Sequence, residues 1–386
     1  MSPELQRQLL QELLGLEARK ALYLDDAPSR SPVQHYLDPE RFAREQQRVF
    51  GALPAMLAHS SELAAPNSFL RRTVQGQPLL LLRGDDGVAR VFYNVCRHRG
   101  TRLVEAQAGC KARHVCPYHA WSWNSRGEFV AAPHFEAGFP DARPEELGLA
   151  ALRCEERHGF VWLLPESFAG ALADFLGPLD AELAWVGTSG LAVHAADTQL
   201  RRCNWKMIAE GGLEAYHFRV AHRNTIAKLF HDNLSSYQVL GPHMRSILPR
   251  TSMAQLREQA PEHWALRAHA NVLYSLFPGS VLLVQHDHVV WIQVEPLAVD
   301  STLLRLVTLK PADSTAPTGY WDKNHALTLT TLNEDFDLAE SIQSGLHTGA
   351  NTALRFGRFE GALQRFNETV QRQLDGAPQA AGAAAG

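Results

Sequence analysis

Leu5, Leu9, Leu10, Leu13 and Leu16 recur on one face of a 3.6-residue period, which predicts an amphipathic helix from residue 3 to about residue 20. Ser2, Pro3 and Glu4 supply its start: a capping hydroxyl, a residue with φ already set, and a carboxylate at the positive end of the helix dipole. A second, shorter helix is predicted from Asp38-Pro39 to Phe50. From Ser68 the texture changes to β. The run SFLRRTVQGQPLLLLRGDDGVARVFYNVC alternates apolar stretches with glycine-containing turns, including Gly84-Asp85-Asp86-Gly87, and predicts hairpins leading into Cys96. His158 to Leu164 reads as the last strand of this unit.

Past Pro165 the pattern is mixed. Residues 168–185 read as helix, 192–201 as strand and 203–231 as one long helical stretch. Four β runs follow at 237–249, 271–277, 280–295 and 302–310, a set suited to an antiparallel sheet, and then helices at 321–346 and 355–374. The terminal GAPQAAGAAAG is low-complexity and reads as a disordered tail. No internal repeat is visible. The predicted class is α+β: an all-β domain at 45–165, and a larger domain at 166–375 with an antiparallel sheet surrounded by helices. Residues 1–44 are expected to pack as helices on the larger domain, with 376–386 as the tail.

Length and composition narrow this picture. A chain of 386 residues is too long for one ordinary core. With 45% hydrophobic and 20% charged residues the composition is globular, and no apolar run approaches the ~18 residues of a membrane span. A formal net charge of -4 gives no general attraction to nucleic acid or anionic lipid. The N-terminus lacks a basic region and a small-residue cleavage site, so a cytoplasmic location is expected. Five cysteines, an odd number without an export signal, argue against a disulfide framework. Cys110, Cys154 and Cys203 have no partner at ligand spacing and are expected to be structural.

The other two cysteines stand in mixed pairs. Cys96-x-His98 is followed, after seventeen intervening residues, by Cys116-x-x-His119. Two cysteines and two histidines also suit structural zinc, but zinc spacings group like with like. One thiolate and one imidazole on each of two loops suits a binuclear iron-sulfur cluster, with both cysteines on one iron and both histidines on the other. Gly100, Pro117, Tyr118, Trp121 and Trp123 suit tight loops covering such a centre. Arg97, Arg99, Arg102, Lys111 and Arg113 cluster around these loops, either as a solvated basic face or as a docking surface for an acidic electron donor.

Cys96-x-His98-Arg99-Gly100 and Cys116-Pro117-Tyr118-His119-x-Trp121 together resemble the Rieske [2Fe-2S] motif of the Rieske non-haem iron oxygenases, in particular their catalytic α subunits. The residue after the second histidine is usually Gly in that family and is Ala120 here. Substituting imidazoles for two thiolates raises the potential relative to an all-cysteine cluster.

A second site is needed to occupy the remaining two-thirds of the chain. His217 and His222 are five apart, roughly 140° around a regular helix, and converge on one metal only if the helix widens or ends there. Asn204-Trp205-Lys206, Glu210 and Glu214-x-Tyr216-His217-x4-His222 resemble the mononuclear iron motif of the same family, and the resemblance runs from about residue 35 to residue 372. Non-haem Fe(II) that binds O2 favours two histidines and one carboxylate on one face. Glu334, Asp335, Asp337 and Glu340 lie on one predicted helix; the resemblance of Glu334-Asp335-x4-Glu340-x-x-Gln343 to the family's ligand helix selects Asp335, with Asp337 as the fallback. His286-Asp287-His288 is a weaker candidate, expected to be a turn.

Glu214, three residues before His217, is expected on the same helix face. In the family this position links the iron site to a Rieske histidine of the neighbouring subunit, which implies a ring-shaped oligomer, most simply a homotrimer. The resemblance implies a terminal oxygenase that takes electrons from an NAD(P)H-dependent flavin or iron-sulfur reductase and uses O2 to hydroxylate or oxidatively demethylate a small aromatic or quaternary-amine substrate. The alternatives are cis-dihydroxylation of an aromatic ring and, from outside the class, a Rieske-type electron carrier or zinc-binding protein. Met207, Leu213, Tyr274, Phe277 and Trp291 are the expected apolar or cation-accepting wall of the substrate pocket, or else ordinary core.

Overall fold

The structure, a computed structural model, describes residues 1–376; most of the expected tail lies outside the described residues. The chain forms two compact units, residues 52–172 and residues 1–51 joined with residues from 173 onward. The expected boundaries at 45 and 165 stand seven residues before these. The fold is α+β, with every strand pair antiparallel in both units.

The smaller unit is built from short strands. Its five-stranded sheet runs in the order Ala151–Leu152, Ala89–Tyr93, Gln77–Arg83, Ser68–Val74, Ala108–Cys110, accompanied by two three-stranded sheets. Ser68–Val74 and Gln77–Arg83 pair from Phe69↔Leu82 to Val74↔Gln77 across the two-residue turn Gln75-Gly76, both with positive φ. That is the turn whose twist matches the strands it joins. The uninterrupted Leu79-Leu80-Leu81-Leu82 run is explained by two covered faces. Leu80, Leu82 and Phe92 point into one core with Cys96, Cys116, Trp121 and Trp123, whereas Leu79, Leu81 and Val91 point into the other with Leu57, Leu70 and Val161. The first of these cores is the floor beneath the two Cys/His loops.

The larger unit is organised on a seven-stranded sheet in the order Leu191–Arg201, Ser301–Pro311, Val289–Ala298, Ser280–Val284, Ala270–Leu276, His243–Pro249, Ser236–Leu240. The runs expected at 237–249 and 280–295 are each a hairpin rather than one strand. Helix Thr318–Leu346 packs along Leu191–Arg201, bonded through His194–Asp322, Asp197–His325 and Arg201–Asp337, and buries Trp321, Thr328, Thr331, Phe336 and Ala339. The N-terminal helix Pro3–Ala18 is capped as expected, Leu5 N–H donating to Ser2 Oγ at 3.1 Å.

Three helices expected from the sequence are broken. The 168–185 segment splits into Leu172–Leu176 and Pro178–Val186, because Pro178 can begin a helix but cannot continue one. The 355–374 segment opens as a strand, Ala353–Phe356, paired with Ser29–Pro32, and becomes α-helical over Gly361–Asp375 after a 3-10 turn at Arg358–Glu360. The 203–231 stretch is helical over Trp205–Gly211 and for one turn over Phe218–Ala221. Gly211-Gly212 ends the first piece, and the Glu214 carboxylate then takes the backbone N–H groups of Tyr216 and His217, bonds a continuing helix would not leave free. Glu214 therefore stands in the loop before the short helix and not on a helical face.

Candidate metal centres

The two Cys/His loops of the smaller unit are closed by the same bonds. Cys96 N–H donates to Thr101 O at 2.8 Å and Gly100 N–H to Cys96 O at 3.0 Å; Cys116 N–H donates to Trp121 O at 2.8 Å and Ala120 N–H to Cys116 O at 3.1 Å. Gly100 and Ala120 are thus equivalent, and both have positive φ, 76° and 57°. Each thiol is 3% exposed, and burial pushes the Cys96 thiol up, with the neighbouring Cys116 adding to the effect. The rings of His98 and His119 lie 4.7 Å apart, and His98 stacks on Trp121 at 4.8 Å with 5° between planes. His98 Nδ1 is buried without a hydrogen-bond partner. Two buried thiols beside two imidazoles, one with an orphaned nitrogen, fit the donor set of a [2Fe-2S] centre. Trp121 is wrapped edge-on by Phe129, Phe135 and Phe139, aromatic cover the motif residues alone did not indicate. Tyr118 is instead 53% exposed, its ring tilted 33° against that of His119 and its hydroxyl accepting from Arg99. Cys154 and Cys203 are partly or fully buried and Cys110 is exposed; none joins the loops.

In the larger unit His217 and His222 are the residues flanking the one-turn helix Phe218–Ala221 at its two ends. Ending the helix at both of them turns the 140° separation into convergence. Their Nε2 atoms lie 3.2 Å apart, and Asp335 Oδ1 lies 3.3 Å from the first and 3.1 Å from the second. A metal with donors at about 2.0–2.2 Å sets its adjacent donors roughly 2.9–3.5 Å apart, so these three edges fit one coordination sphere. Among the described residues this is the one His/Cys/Asp/Glu group placed to hold a single ion.

The outer nitrogens are held by carboxylates. His217 Nδ1 donates to Glu214, and His222 Nδ1 donates to Glu334 Oε2 at 2.8 Å; a carboxylate only accepts, so both rings carry the proton on Nδ1 and turn Nε2 inward. Thr225 Oγ1 donates to the same Glu334 oxygen at 2.6 Å. Burial pulls the His217 imidazole down, but Asp335 and Glu214 outweigh it and push it up to about 10. Burial likewise opposes ionisation of Asp335, whose carboxyl the two imidazoles nevertheless hold below the usual range. Glu334 was visible in the sequence only as one acid of a helix. Its proximity to His222 comes from chain segments more than a hundred residues apart.

Asp337 points elsewhere. It pairs with Arg201 at 2.9 Å, while Glu340 accepts from Arg202 N–H at 2.9 Å and Gln343 from Asn204 N–H at 2.8 Å. These bonds fasten the long helix to the 201–204 segment and so set the height of Asp335 against the histidines. Glu210, Trp205 and Lys206 are structural: Glu210 accepts from Tyr36 Oη at 2.6 Å and Asn367 Nδ2 at 2.7 Å, and Lys206 with Trp205 grips the buried Glu45. His286-Asp287-His288 is a hairpin turn whose Asp287 is taken by His288 Nδ1 at 2.7 Å and Tyr320 Oη at 2.5 Å.

A cavity of about 330 Å³ is lined by Ile226, Phe230, Arg250, Asn271, Leu283 and Thr331 among others; no triad residue lines it, but Ile226 and Phe230 pack with Phe218, whose ring meets His222. Of the two expectations for Met207, Leu213, Tyr274, Phe277 and Trp291, ordinary core is the one the burial matches. Tyr274 and Trp291 are fully enclosed in the sheet core, Met207, Leu213 and Phe277 are buried, and none of the five lines the cavity. Strand periodicity gives which residues share a face but not which face is covered by a helix.

The Rieske [2Fe-2S] domain model matches residues 54–150, and the model of the ring hydroxylating alpha subunit (catalytic domain) matches residues 189–376. The carnitine monooxygenase oxygenase subunit of Escherichia coli (strain K12) is 36% identical over 195 residues, 50% of this chain and 51% of that protein. The glycine betaine monooxygenase oxygenase subunit of Chromohalobacter salexigens is 29% identical over 241 residues, 61% of this chain and 52% of that protein. The matched region thus spans about half the length of these curated relatives. A crystal structure of a quaternary ammonium Rieske monooxygenase has the same fold, with a TM-score of 0.79 and 24% identity over 90% of this chain and 96% of that one. With its two domain types matched in order along the chain, the protein belongs to the Rieske non-haem iron oxygenases, joining a Rieske [2Fe-2S] domain to the ring-hydroxylating α-subunit catalytic domain that binds mononuclear iron.

Proposed function

We propose that this chain is the terminal oxygenase of a multicomponent system, taking electrons from a separate NAD(P)H-dependent reductase and using O2 to hydroxylate or oxidatively demethylate a small organic substrate. In this reading Cys96, His98, Cys116 and His119 hold the [2Fe-2S] cluster, and His217, His222 and Asp335 hold the mononuclear iron. When bound, the cluster supplies electrons one at a time and the iron supplies the activation of O2. The observation that carries the reading is the convergence of two Nε2 atoms and one carboxylate oxygen beside a cavity, in a chain that also presents the Rieske loops.

The protein's own contribution is orientation and exclusion of water. Glu214 and Glu334 fix the tautomer and rotation of the two imidazoles, so that neither ring reorganises when the metal arrives. Phe218 packs against both His217 and His222 and, with Phe230 and Ile226, walls the metal side of the cavity from solvent. Glu214 is also the residue we assign to relaying electrons from a neighbouring subunit's cluster in a homotrimer. The exposed Arg97, Arg99, Arg102, Lys111 and Arg113 are assigned as the docking face for an acidic reductase. Similarity to carnitine and glycine betaine monooxygenases favours monooxygenation over cis-dihydroxylation; formaldehyde release, as against a dihydrodiol product, separates the two.

The test is Asp335→Ala. The purified variant is expected to keep the brown colour and acid-labile sulfide, to fall from about three irons per chain to about two, and to form no product with a competent reductase. Full turnover in the variant overturns the ligand assignment.

A further inference from the structure

The cavity beside the triad has two unlike ends. Its apolar end adjoins the metal site: Ile226 and Phe230 pack with Phe218, whose ring meets His222 at 5.3 Å, and Thr331 and Leu332 stand four and three residues before Asp335 on the same side of the long helix. Its polar end is built around Arg250, where strand His243–Pro249 finishes. Arg250 donates through Nε and Nη2 to Asn271 Oδ1 at 3.2 and 2.6 Å, which fixes the plane of the guanidinium. Among the described residues its Nη1 has no hydrogen-bond partner and Arg250 makes no ion pair. Asp287, the carboxylate whose charge reaches it, is already held by His288 and Tyr320. Arg267 donates to the carbonyl of Gln285, a lining residue, and sets a second guanidinium behind this wall.

No acidic residue is among the cavity's described lining, and Phe230 is its one aromatic ring. A quaternary ammonium group is recognised by several aromatic faces or by a carboxylate, and next to Arg250 it would meet like charge instead. A carboxylate would receive charge-assisted hydrogen bonds from a guanidinium whose planar fork is already oriented. The volume of about 330 Å³ lies at the small end of ligand sites, which run from about 300 to 1,000 Å³.

We infer that the cavity takes a small organic carboxylate, its carboxylate on Arg250 and its apolar body directed at His222 and Asp335, so that Arg250 determines substrate specificity. The inference rests on the oxygenase reading, because it takes this cavity as the substrate site. Three probes of one skeleton test it by calorimetry on the iron-loaded full chain: phenylacetate, phenylacetamide and benzyltrimethylammonium. Phenylacetate is expected to bind at least tenfold more tightly than the other two. Arg250→Gln should weaken phenylacetate at least tenfold and leave phenylacetamide within about twofold; Arg250→Lys, which keeps the charge but loses the fork, should fall between. The inference is overturned if benzyltrimethylammonium binds as tightly as phenylacetate, if phenylacetate fails to bind, or if a folded Arg250→Gln variant binds it unchanged. Should Arg250→Gln not fold, the affinity order of the unmodified chain still decides. Calorimetry needs no turnover, so a chain that binds in the expected order yet consumes no O2 with any substrate sinks the oxygenase reading, whereas turnover with the reverse affinity order sinks this inference alone.

Discussion

Ala120 is the residue at which this chain departs from the usual family motif, and the structure gives that departure a physical cost. Its φ of 57° lies in the left-handed region that Gly100 occupies in the equivalent loop, and a Cβ there costs roughly 1–2 kcal/mol. Part of that is offset because Ala has less freedom than Gly to lose on folding, leaving about 0.5–1 kcal/mol. Ala120→Gly is therefore expected to raise the unfolding midpoint of the smaller unit, read by denaturant titration of the cluster absorbance; an unchanged or lower midpoint refutes the strain. The loops themselves were legible from residue types, since thiolates and imidazoles at these spacings have few other uses. His222's orienting partner was not, because Glu334 and His222 are 112 residues apart in the chain.

Elements show the same division. The sequence predicts a helix wherever the 3.6 period persists, but 203–231 breaks at Gly211-Gly212 and again at each histidine, where local polar bonds compete with the helix ladder. Trp205–Gly211 is anchored from within by Glu210, which burial pushes up to about 7 against the hydrogen bonds of Tyr36 and Asn367. The folded chain holds this proton to about pH 7, whereas the unfolded chain releases it near the ordinary 4.5. The stability linked to it is present at low pH and is lost as pH rises through that window. Glu210→Gln keeps an acceptor for both bonds and removes the titration. The fall in unfolding free energy between pH 5 and pH 8 should be smaller in the variant by up to about 3 kcal/mol, measured by urea unfolding at both values. Parallel curves for the two proteins would exclude Glu210 as the titrating group.

For the whole molecule, the two units carry separable parts of the proposed activity, and the larger one is discontinuous in sequence. No helix among the described residues is long and apolar enough to cross a membrane. If Glu214 relays electrons between subunits, inactivating the two sites in different chains leaves working pairs. Cys116→Ser and Asp335→Ala chains are each expected to be inactive alone and to recover a measurable fraction of activity when co-expressed in mixed oligomers. Mixed oligomers without activity would rule out the relay between subunits.

The sequence by itself determined the candidate donor types and their order along the two Cys/His loops, because these depend on neighbours within a few residues, and the resemblance those residues carry pointed to the class of chemistry. The resemblance already pointed to Asp335 ahead of Asp337; only the tertiary structure brought it to the two histidines, showed that Glu334 orients one of them, and showed that Arg250 rather than an aromatic wall faces the cavity. The reason is that Asp335 is set by where the long helix is pinned to Arg201, Arg202 and Asn204, more than a hundred residues away. Periodicity along a chain gives the face a side chain occupies; only packing gives what that face meets.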